Sequence, residues 1–250
     1  IPHVTDEIKR RIKVVAKNTD ADVIVVEVGG TVGDIESMPF LEALRQMRIE
    51  EGRENIVFVH VTLVPVVGPV GEQKSKPTQH SVRALREIGI DPDIIVVRSE
   101  KPVTEEVKRK ISLFCNVYEN AVISNYDTEN IYEVPLILKK QGLDMILRMF
   151  LHLNGRKSNL SDWKKLVEDM KAIRKNVEVA LVGKYTNLRD SYISITEAIR
   201  HASVRAGVRA DIRWVEATEL NKENCEKKLS GVCGIVVPGG FGSRGALGKI

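Results

Sequence analysis

One carboxylate interrupts a run of residues that would otherwise suit a buried strand. Residues 23–28 are β-branched and aliphatic apart from Glu27, and such runs are typical of parallel strands that are buried on both faces. Because an unpaired buried carboxylate is costly, Glu27 should meet a cation, a metal ion or a set of donors. Gly29, Gly30 and Gly33 follow and let a ligand approach the main chain closely. The pattern predicts a strand that presents an acid to a nucleotide.

A pair of lysines is the second candidate for chemistry. Lys74 and Lys76 lie among small and polar residues ahead of Pro77. Two ammonium groups so close together repel each other unless an anion lies nearby. Such a pair is simply solvated in most proteins, but a triphosphate would fit it better.

The elements that would position these groups alternate between strand and helix. The first helix should be capped by Thr5 and the second should begin near Ser37 and Pro39. Strands are predicted at 23–28, 56–62, 94–97, 121–124, 177–182, 210–215 and 233–237. This alternation indicates an α/β fold with a mostly parallel, doubly wound sheet, in which ligands lie beyond the carboxyl ends of the strands.

The alternation breaks between about residue 150 and residue 176. A polar stretch and a charged helix, predicted over 161–175, separate the two halves there. We therefore expect one domain at 1–152, a linker at 153–176 and a second α/β domain at 177–250.

Composition excludes several classes of protein. With 250 residues, 43% of them hydrophobic, the chain can bury a substantial core. Its net charge is +4, the excess of 38 Lys and Arg over 34 Asp and Glu, which is too slight to indicate nucleic-acid binding. Three cysteines without metal-like spacing suit reduced thiols, and no apolar run approaches the ~20 residues of a membrane span. A cytoplasmic protein with no nucleic-acid or membrane partner is expected.

Two blocks of sequence resemble the CTP synthase family, ligases that aminate UTP. The first reads EVGGTVGDIES at 27–37 and continues as PFLEA at 39–43, and the second reads GEQKSKPTQHS at 71–81. Two such blocks in the family's order are far more specific than a lone glycine-rich loop. The resemblance extends over essentially the whole chain, and it implies that the chain corresponds only to the middle of the family's sequence. The first domain should then be a P-loop NTPase-like synthetase domain.

The resemblance also implies roles for individual residues. Glu27 would be a magnesium ligand, and Tyr126, Asp127 and Thr128 would bind ATP. The pyrimidine nucleotides UTP and CTP would bind at Asp34, Ile35, Glu36, Lys74, Ser75, Lys76, Pro77, Thr78, Gln79 and Lys110.

Each of these roles has a plainer alternative from the residues alone. Glu27 would suit a structural ion pair at a strand end. Asp34 and Glu36 would suit helix capping, which is worth ~0.3 to 1 kcal/mol. Lys110 would suit an exposed helix face, and residues 126–128 an ordinary loop.

The second half resembles the start of a class I glutamine amidotransferase domain that is truncated. PGGFG at 238–242 resembles the loop that forms half of an oxyanion hole, with Gly240 as a backbone donor worth ~2.7 to 4 kcal/mol. A plain turn after a strand is the alternative. The nearest match to a G-x-C-x-G nucleophile, around Cys233, has Ile235 in place of the last glycine, and Cys233 is expected in the core.

The resemblance implies ATP-dependent amination of UTP to CTP, through a 4-phosphorylated UTP and with ammonia from glutamine. It further implies Mg²⁺ as cofactor, CTP as feedback inhibitor, GTP as activator and a homotetramer, and we expect the fragment alone to be inactive. Two alternatives stay open. One is a P-loop-type ATPase without ligase activity, which the 74–79 block and the second domain disfavour. The other is a noncatalytic nucleotide-binding module, which suits a chain of this length.

Overall fold

The structure is a computed structural model that describes residues 2–69, 71–153, 155 and 158–239. The chain divides into two compact units, Ile1–Asn159 and Leu160–Ile250. Both contain parallel strands and helices, which confirms the α/β prediction. The predicted linker at 153–176 falls across this division and contains a helix of the second unit.

The first unit contains six α-helices and five strands within its described residues. The helices are α1 (Pro2–Thr19), α2 (Met38–Glu50), α3 (Lys76–Glu87), α4 (Glu105–Cys115), α5 (Val134–Lys140) and α6 (Leu143–Phe150). The strands are β1 (Val59–Leu63), β2 (Val66–Val67), β3 (Glu72–Gln73), β4 (Ile94–Ser99) and β5 (Val122–Tyr126). Helices α5 and α6 were not predicted from the sequence.

The main sheet of the first unit is parallel, in the order β1-β4-β5. Because side chains alternate along a strand, Ile95 and Val97 of β4 face one layer, and Ile94 and Val96 face the other. The first pair packs with residues of α3 and α4, including Val82 and Ile111. The second pair packs with Ile123 of β5, with Ile146 of α6 and with partly buried residues of α5 and α6. Helices therefore cover both faces, and the doubly wound prediction is confirmed.

A short antiparallel hairpin interrupts the alternation of strand and helix. Strands β2 and β3 pair through Val66 with Gln73 and Val67 with Glu72. The hairpin lies between the carboxyl end of β1 and the start of α3, so it carries the chain from the sheet to Lys74. Lys76 is the first residue of α3, because Pro77 suits the first turn of a helix.

The prediction of a buried strand at 23–28 was wrong. These residues form no strand, Val25 is 90% exposed, and Glu27 is exposed as well. A β-branched run becomes a strand only where neighbouring strands satisfy its backbone hydrogen bonds. No strand of the described residues pairs with this segment, so its composition alone does not order it.

Two helix starts also differ in detail from the predictions. Thr5 lies inside α1, buried, and its hydroxyl donates to the carbonyl of Pro2 instead of capping the helix. The helix begins earlier because proline is well tolerated in a first turn. Helix α2 begins after Ser37 as predicted, but the Ser37 hydroxyl donates to the carbonyl of Asp34 and makes no cap bond.

The second unit is built on another three-stranded sheet with its own helices. Its elements are α7 (Ser161–Ala172), β6 (Asn176–Gly183), α8 (Ile193–Arg205), β7 (Arg209–Glu216), α9 (Cys225–Leu229) and β8 (Gly234–Val236). The strands are parallel in the order β7-β6-β8, around buried residues that include Val182 and Val215.

Cys233 was expected in the core of the second unit, and this was wrong. The residue is exposed, and the neighbouring Val232 packs against the core in its place. Within the described parts of both units, no helix is long and apolar enough to cross a membrane.

Candidate functional site

The three strands of the first sheet end at one edge. Strand β1 ends at Leu63, which pairs with Arg98, and Ser99 pairs with Tyr126 at the ends of β4 and β5. The segments that follow these strands lead to Lys74, to α4 with Lys110, and to Asp127. Parallel pairing therefore brings three separately predicted parts of a nucleotide site to the same edge.

Lys74 is held by its own hairpin. Its backbone N–H donates to the carbonyl of Pro65 at 3.0 Å, and its Nζ lies 2.5 Å from Oε2 of Glu72. The side chain remains half-exposed. Lys76 is exposed and makes no ion pair with the described residues. The hairpin thus presents one paired and one unpaired ammonium group at the start of α3.

The other residues of the 74–79 block hold the start of α3. The side-chain amide of Gln79 donates to the hydroxyl of Ser75 at 3.1 Å. Thr78 is 0% exposed, and its hydroxyl donates to the carbonyl of Leu63 at 3.1 Å. The Thr78 side chain therefore fixes α3 to β1 from within the core, whereas Pro77 is exposed.

Lys110 lies on α4, where its Nζ is 2.7 Å from Oε1 of Glu106. This hydrogen bond is the main reason that the pKa of Lys110 is raised, and the negative charge of Glu72 adds to the effect. The same bond lowers the pKa of Glu106. Glu72 thus pairs with Lys74 and also contributes a small stabilisation to the charge of Lys110.

The predicted ATP segment begins at the end of β5. Tyr126 is the last residue of the strand, and the N–H of Asp127 donates to the carbonyl of Ser99 at 3.0 Å. Oδ1 of Asp127 accepts from Arg98 at 2.8 Å, and the Thr128 hydroxyl donates to the carbonyl of Asn130. Arg98 was not predicted from the sequence, although a charge after the apolar run of β4 was a usable signal.

The acidic segment, residues 23–37, is held mainly by its own turn. Gly30 and Gly33 have φ values of 89° and 104°, which only glycine adopts readily. Oδ2 of Asp34 accepts from the N–H of Thr31 at 2.7 Å, so this carboxylate closes the turn. Ile35 is 87% exposed and Glu36 is exposed. No hydrogen bond or ion pair among the described residues joins this segment to the lysines.

Glu27 is chemically suited to a magnesium ion as one ligand among several. Within the described residues, no group of three or more His, Cys, Asp or Glu side chains could hold a metal ion by itself. Magnesium usually binds one or two carboxylates and completes its shell with water and substrate phosphates. The Glu27 carboxylate is exposed and has no ion-pair partner in the described part of the chain, so both oxygens are available for this role.

The predicted oxyanion donor of the second unit, Gly240, lies outside the described residues. Strand β8 ends at Val236, so residues 237–239 lead toward Gly240 from the carboxyl edge of the sheet. A Cβ placed on Gly239 would meet no atom within 4 Å. Among the described residues, Gly239 therefore has no close neighbour on the side where it lacks a side chain.

Sequence reasoning missed a polar cluster at the carboxyl ends of β6 and β7. Oε2 of Glu216 accepts from the N–H of Thr186 at 3.0 Å and from its hydroxyl, and the Thr218 hydroxyl donates to Oε1. Burial acts to raise the pKa of Glu216, but these hydrogen bonds outweigh it and lower the pKa. An acid at the end of an apolar strand was the available signal.

Gly183, the last residue of β6, lies directly against Tyr192. A Cβ there would collide with the Tyr192 hydroxyl unless that ring moved. That hydroxyl donates to the carbonyl of Lys184, and the Tyr192 ring packs edge-on against Trp214. The loop after β6 is therefore fixed by close packing and by Glu216.

Comparison with known proteins is consistent with this division into two units. Residues 1–153 match the family model described as CTP synthase N-terminus, and residues 187–250 match the model described as glutamine amidotransferase class-I. The CTP synthases of Pyrococcus furiosus and Pyrococcus abyssi are each 60% identical over 250 residues, and that of Roseiflexus castenholzii is 53% identical. These alignments cover 100% of this chain but only 46%, 46% and 45% of the relatives, so the chain spans about half their length.

Proposed function

Because the chain belongs to the CTP synthase family, we propose that it takes part in the ATP-dependent amination of UTP to CTP. In this proposal the first unit carries synthetase chemistry, and the second carries part of the glutaminase that supplies ammonia. The observation that supports the proposal most is the convergence of Lys74, Lys110 and Asp127 at the carboxyl edge of one sheet.

The two lysines would bind the triphosphate of UTP. Both ammonium groups are at least partly exposed, and each is neutralised by a carboxylate of its own element. Charge-assisted bonds to phosphate oxygens are stronger than bonds between neutral groups. An incoming triphosphate would therefore compete with Glu72 and Glu106 for the lysines. Ser75, Lys76, Pro77 and Gln79 would line the same site, and Thr78 would support it from the core.

ATP would bind next to this site, at residues 126–128. The Asp127 carboxylate can accept from the exocyclic amine of adenine, and Arg98 orients that carboxylate through its 2.8 Å bond. Tyr126 and Thr128 follow the same strand end. The γ-phosphoryl group would pass from ATP to O4 of UTP, with ADP as the leaving group.

Ammonia would then attack C4 and lose a proton, and inorganic phosphate would leave with the former carbonyl oxygen. Phosphorylation is needed because an unmodified carbonyl oxygen is a poor leaving group. The residues of this chain would mainly position the substrates and neutralise charge, as in phosphoryl transfer generally. A magnesium ion held in part by Glu27 would neutralise charge on the phosphates.

The acidic turn at Asp34, Ile35 and Glu36 would bind the product CTP as an inhibitor. Cytosine carries an exocyclic amine where uracil carries an oxygen, and a carboxylate accepts from an amine but not from a carbonyl. The exposed Glu36 carboxylate is the more available acceptor, since Asp34 is engaged with Thr31. The turn would therefore help to distinguish product from substrate.

In the second unit, the backbone N–H of Gly240 would stabilise the oxyanion formed when glutamine is hydrolysed. The sequence at 238–242 and the amidotransferase match support this role. Activation by GTP, assembly as a homotetramer and a cytoplasmic location are further proposals that follow from the family.

A chimera would test the proposed function directly. In the CTP synthase of Pyrococcus furiosus, the 250 aligned residues would be replaced by this chain, and CTP formation from UTP and ATP would be measured with ammonia and with glutamine. We expect CTP with either nitrogen source, and none from the 250-residue chain alone. A double variant, Lys74→Met with Lys110→Met, should lose CTP synthesis with both sources.

Three other results would each lead to a different conclusion. ATP hydrolysis by a folded chimera without CTP would favour an ATPase that lacks ligase activity. Nucleotide binding without any turnover would favour a noncatalytic module. CTP synthesis by the 250-residue chain alone would contradict the expectation that it is inactive by itself.

A further inference from the structure

Gln73 links the two elements that carry the lysines. It is the last residue of β3, directly before Lys74. Its side-chain Oε1 accepts from the N–H of Thr104 at 2.9 Å, and its Nε2 donates to the carbonyl of Pro102 at 2.9 Å. Thr104 is the N-cap of α4, the helix that carries Lys110. One side-chain amide therefore bridges the hairpin and the start of the helix.

This bridge supplies a bond that α4 cannot make for itself. In a capping box, the third helical residue accepts from the N–H of the N-cap residue. Here that third residue is Val107, whose side chain has no hydrogen-bond acceptor. The N–H of Val107 donates to the Thr104 hydroxyl at 3.3 Å. Gln73 provides the missing acceptor from another element. The position of the α4 N-terminus is thus tied to the hairpin.

Both halves of the amide are needed for this contact. An amide donates and accepts at once, whereas a carboxylate only accepts and a thioether does neither in comparable strength. Methionine at position 73 would leave the Thr104 N–H without its partner, and glutamate would place an acceptor against the Pro102 carbonyl. The geometry therefore selects an amide of glutamine length.

We propose that Gln73 is a positioning residue that sets the separation of Lys74 and Lys110 and thereby the affinity for the triphosphate of UTP. This inference rests on the proposed function. Lys74 follows Gln73 directly, and Lys110 lies about two helical turns beyond Thr104 on a rigid helix. The electrostatic influence of Glu72 on Lys110 supports the closeness of the two elements.

A positioning role makes a specific kinetic prediction. Gln73 would touch no reacting atom, and it would act on the binding of UTP through the lysines. In the chimera, Gln73→Met should raise KM for UTP about tenfold, the change expected if the loss of these two exposed hydrogen bonds is transmitted to the triphosphate site. The kcat and the KM for ATP should change by less than about twofold.

Gln141 offers a matched control. Its amide also makes a two-way contact, accepting from the N–H of Ser124 at 2.8 Å and donating to the carbonyl of Ser124 at 2.7 Å. It joins the end of α5 to β5, and these two hydrogen bonds involve neither the hairpin nor α4. Gln141→Met should therefore lower stability by a similar amount and leave the KM for UTP unchanged. Should Gln73→Met fail to fold, Gln73→Asn, which withdraws the amide by one methylene, replaces it with the same expectation.

A double-mutant cycle separates positioning from general structural support. If Gln73 acts by placing Lys110, then Gln73→Met should have less than about a twofold effect on KM for UTP once Lys110→Met is present. An undiminished tenfold effect in that background would overturn the proposal. So would an unchanged KM for UTP in Gln73→Met alone.

The proposed function is decided separately by the parent chimera. If the parent makes no CTP, the proposed function fails and this inference fails with it. If the parent makes CTP but the Gln73 variants keep the parent KM for UTP, only the inference fails.

Discussion

The acidic segment and the lysine-bearing edge, which lies within residues 63–127 and includes Lys74 and Lys110, are held in different ways. The edge is fixed by strand register, by the Gln73 bridge and by the bond between Arg98 and Asp127. The acidic segment contains a closed turn at 31–37, while its apolar run is exposed and belongs to no strand. An apolar run therefore becomes a strand only where neighbouring strands pair with it. A turn, in contrast, can be held in place by hydrogen bonds within itself.

The largest expected effect concerns the exposed carboxylate. Glu27→Ala in the chimera should reduce ammonia-dependent CTP synthesis about a thousandfold, because a metal ion at a phosphoryl-transfer site is worth several kcal/mol. Glutamine hydrolysis should persist. Steady-state assays of both reactions would check this. As a control, Asp22→Ala, which removes an exposed acid near the same segment, should have little effect. Full CTP synthesis in Glu27→Ala would contradict the assignment of Glu27 as a magnesium ligand.

The next largest effect is a difference in the free energy of unfolding between two isoleucine variants, one in each region. Ile95 is 0% exposed in β4 and Ile35 is 87% exposed in the acidic turn. Ile95→Ala should lower the free energy of unfolding by about 2 to 5 kcal/mol, and Ile35→Ala should change it by less than about 0.5 kcal/mol. Urea unfolding of the 250-residue chain would measure both. A large loss in Ile35→Ala would show that the acidic segment is packed in solution.

A smaller effect is expected when one lysine of the edge is removed. Lys74→Met should raise KM for UTP by about ten- to a hundredfold, since a hydrogen bond to a charged group is worth ~1.5 to 3 kcal/mol. The comparable Lys17→Met, at the exposed end of α1, should leave KM for UTP unchanged. Equal KM values in both variants would place the triphosphate away from the hairpin.

The smallest expected effect is the dependence of stability on pH that His60 of β1 contributes. Burial lowers the pKa of His60 below its ordinary value of 6.5, and its Nε2 lies 2.8 Å from the Ser81 hydroxyl. The unfolded chain therefore takes up the proton first as pH falls. The contribution of His60 to stability is complete above pH 6.5 and is lost as pH falls through the folded pKa.

Thermal unfolding of wild type and of His60→Gln between pH 7.5 and pH 5 would detect this contribution. The stability of wild type should fall more steeply with decreasing pH than that of the variant. Parallel curves for the two proteins would assign the pH dependence to other groups.

The sequence predicted the ordered edge well because its signals are local and repeated. An apolar run placed the start of β4 correctly and its end within two residues, and parallel topology then predicted that the carboxyl ends of the strands meet. The same reasoning failed at residues 23–28, where the run is identical in kind but the neighbours that would bury it are not among the described strands.

Contacts between distant residues were beyond sequence reasoning. Nothing in the types or spacing of Gln73 and Thr104 indicates that they meet, and the same holds for Thr186 and Glu216. Thr78 shows a second limit of the sequence, which does not reveal the direction in which a side chain faces. The sequence placed Thr78 in a block of candidate ligand-binding residues, but only the packed structure shows that its side chain faces the core.

Crystals of the chimera with UTP, a nonhydrolysable ATP analogue and Mn²⁺ would test the central claim most directly. We expect the triphosphate of UTP in contact with both Lys74 and Lys110, and an anomalous manganese peak at the Glu27 carboxylate. A triphosphate bound away from both lysines, or a manganese peak distant from Glu27, would contradict the account.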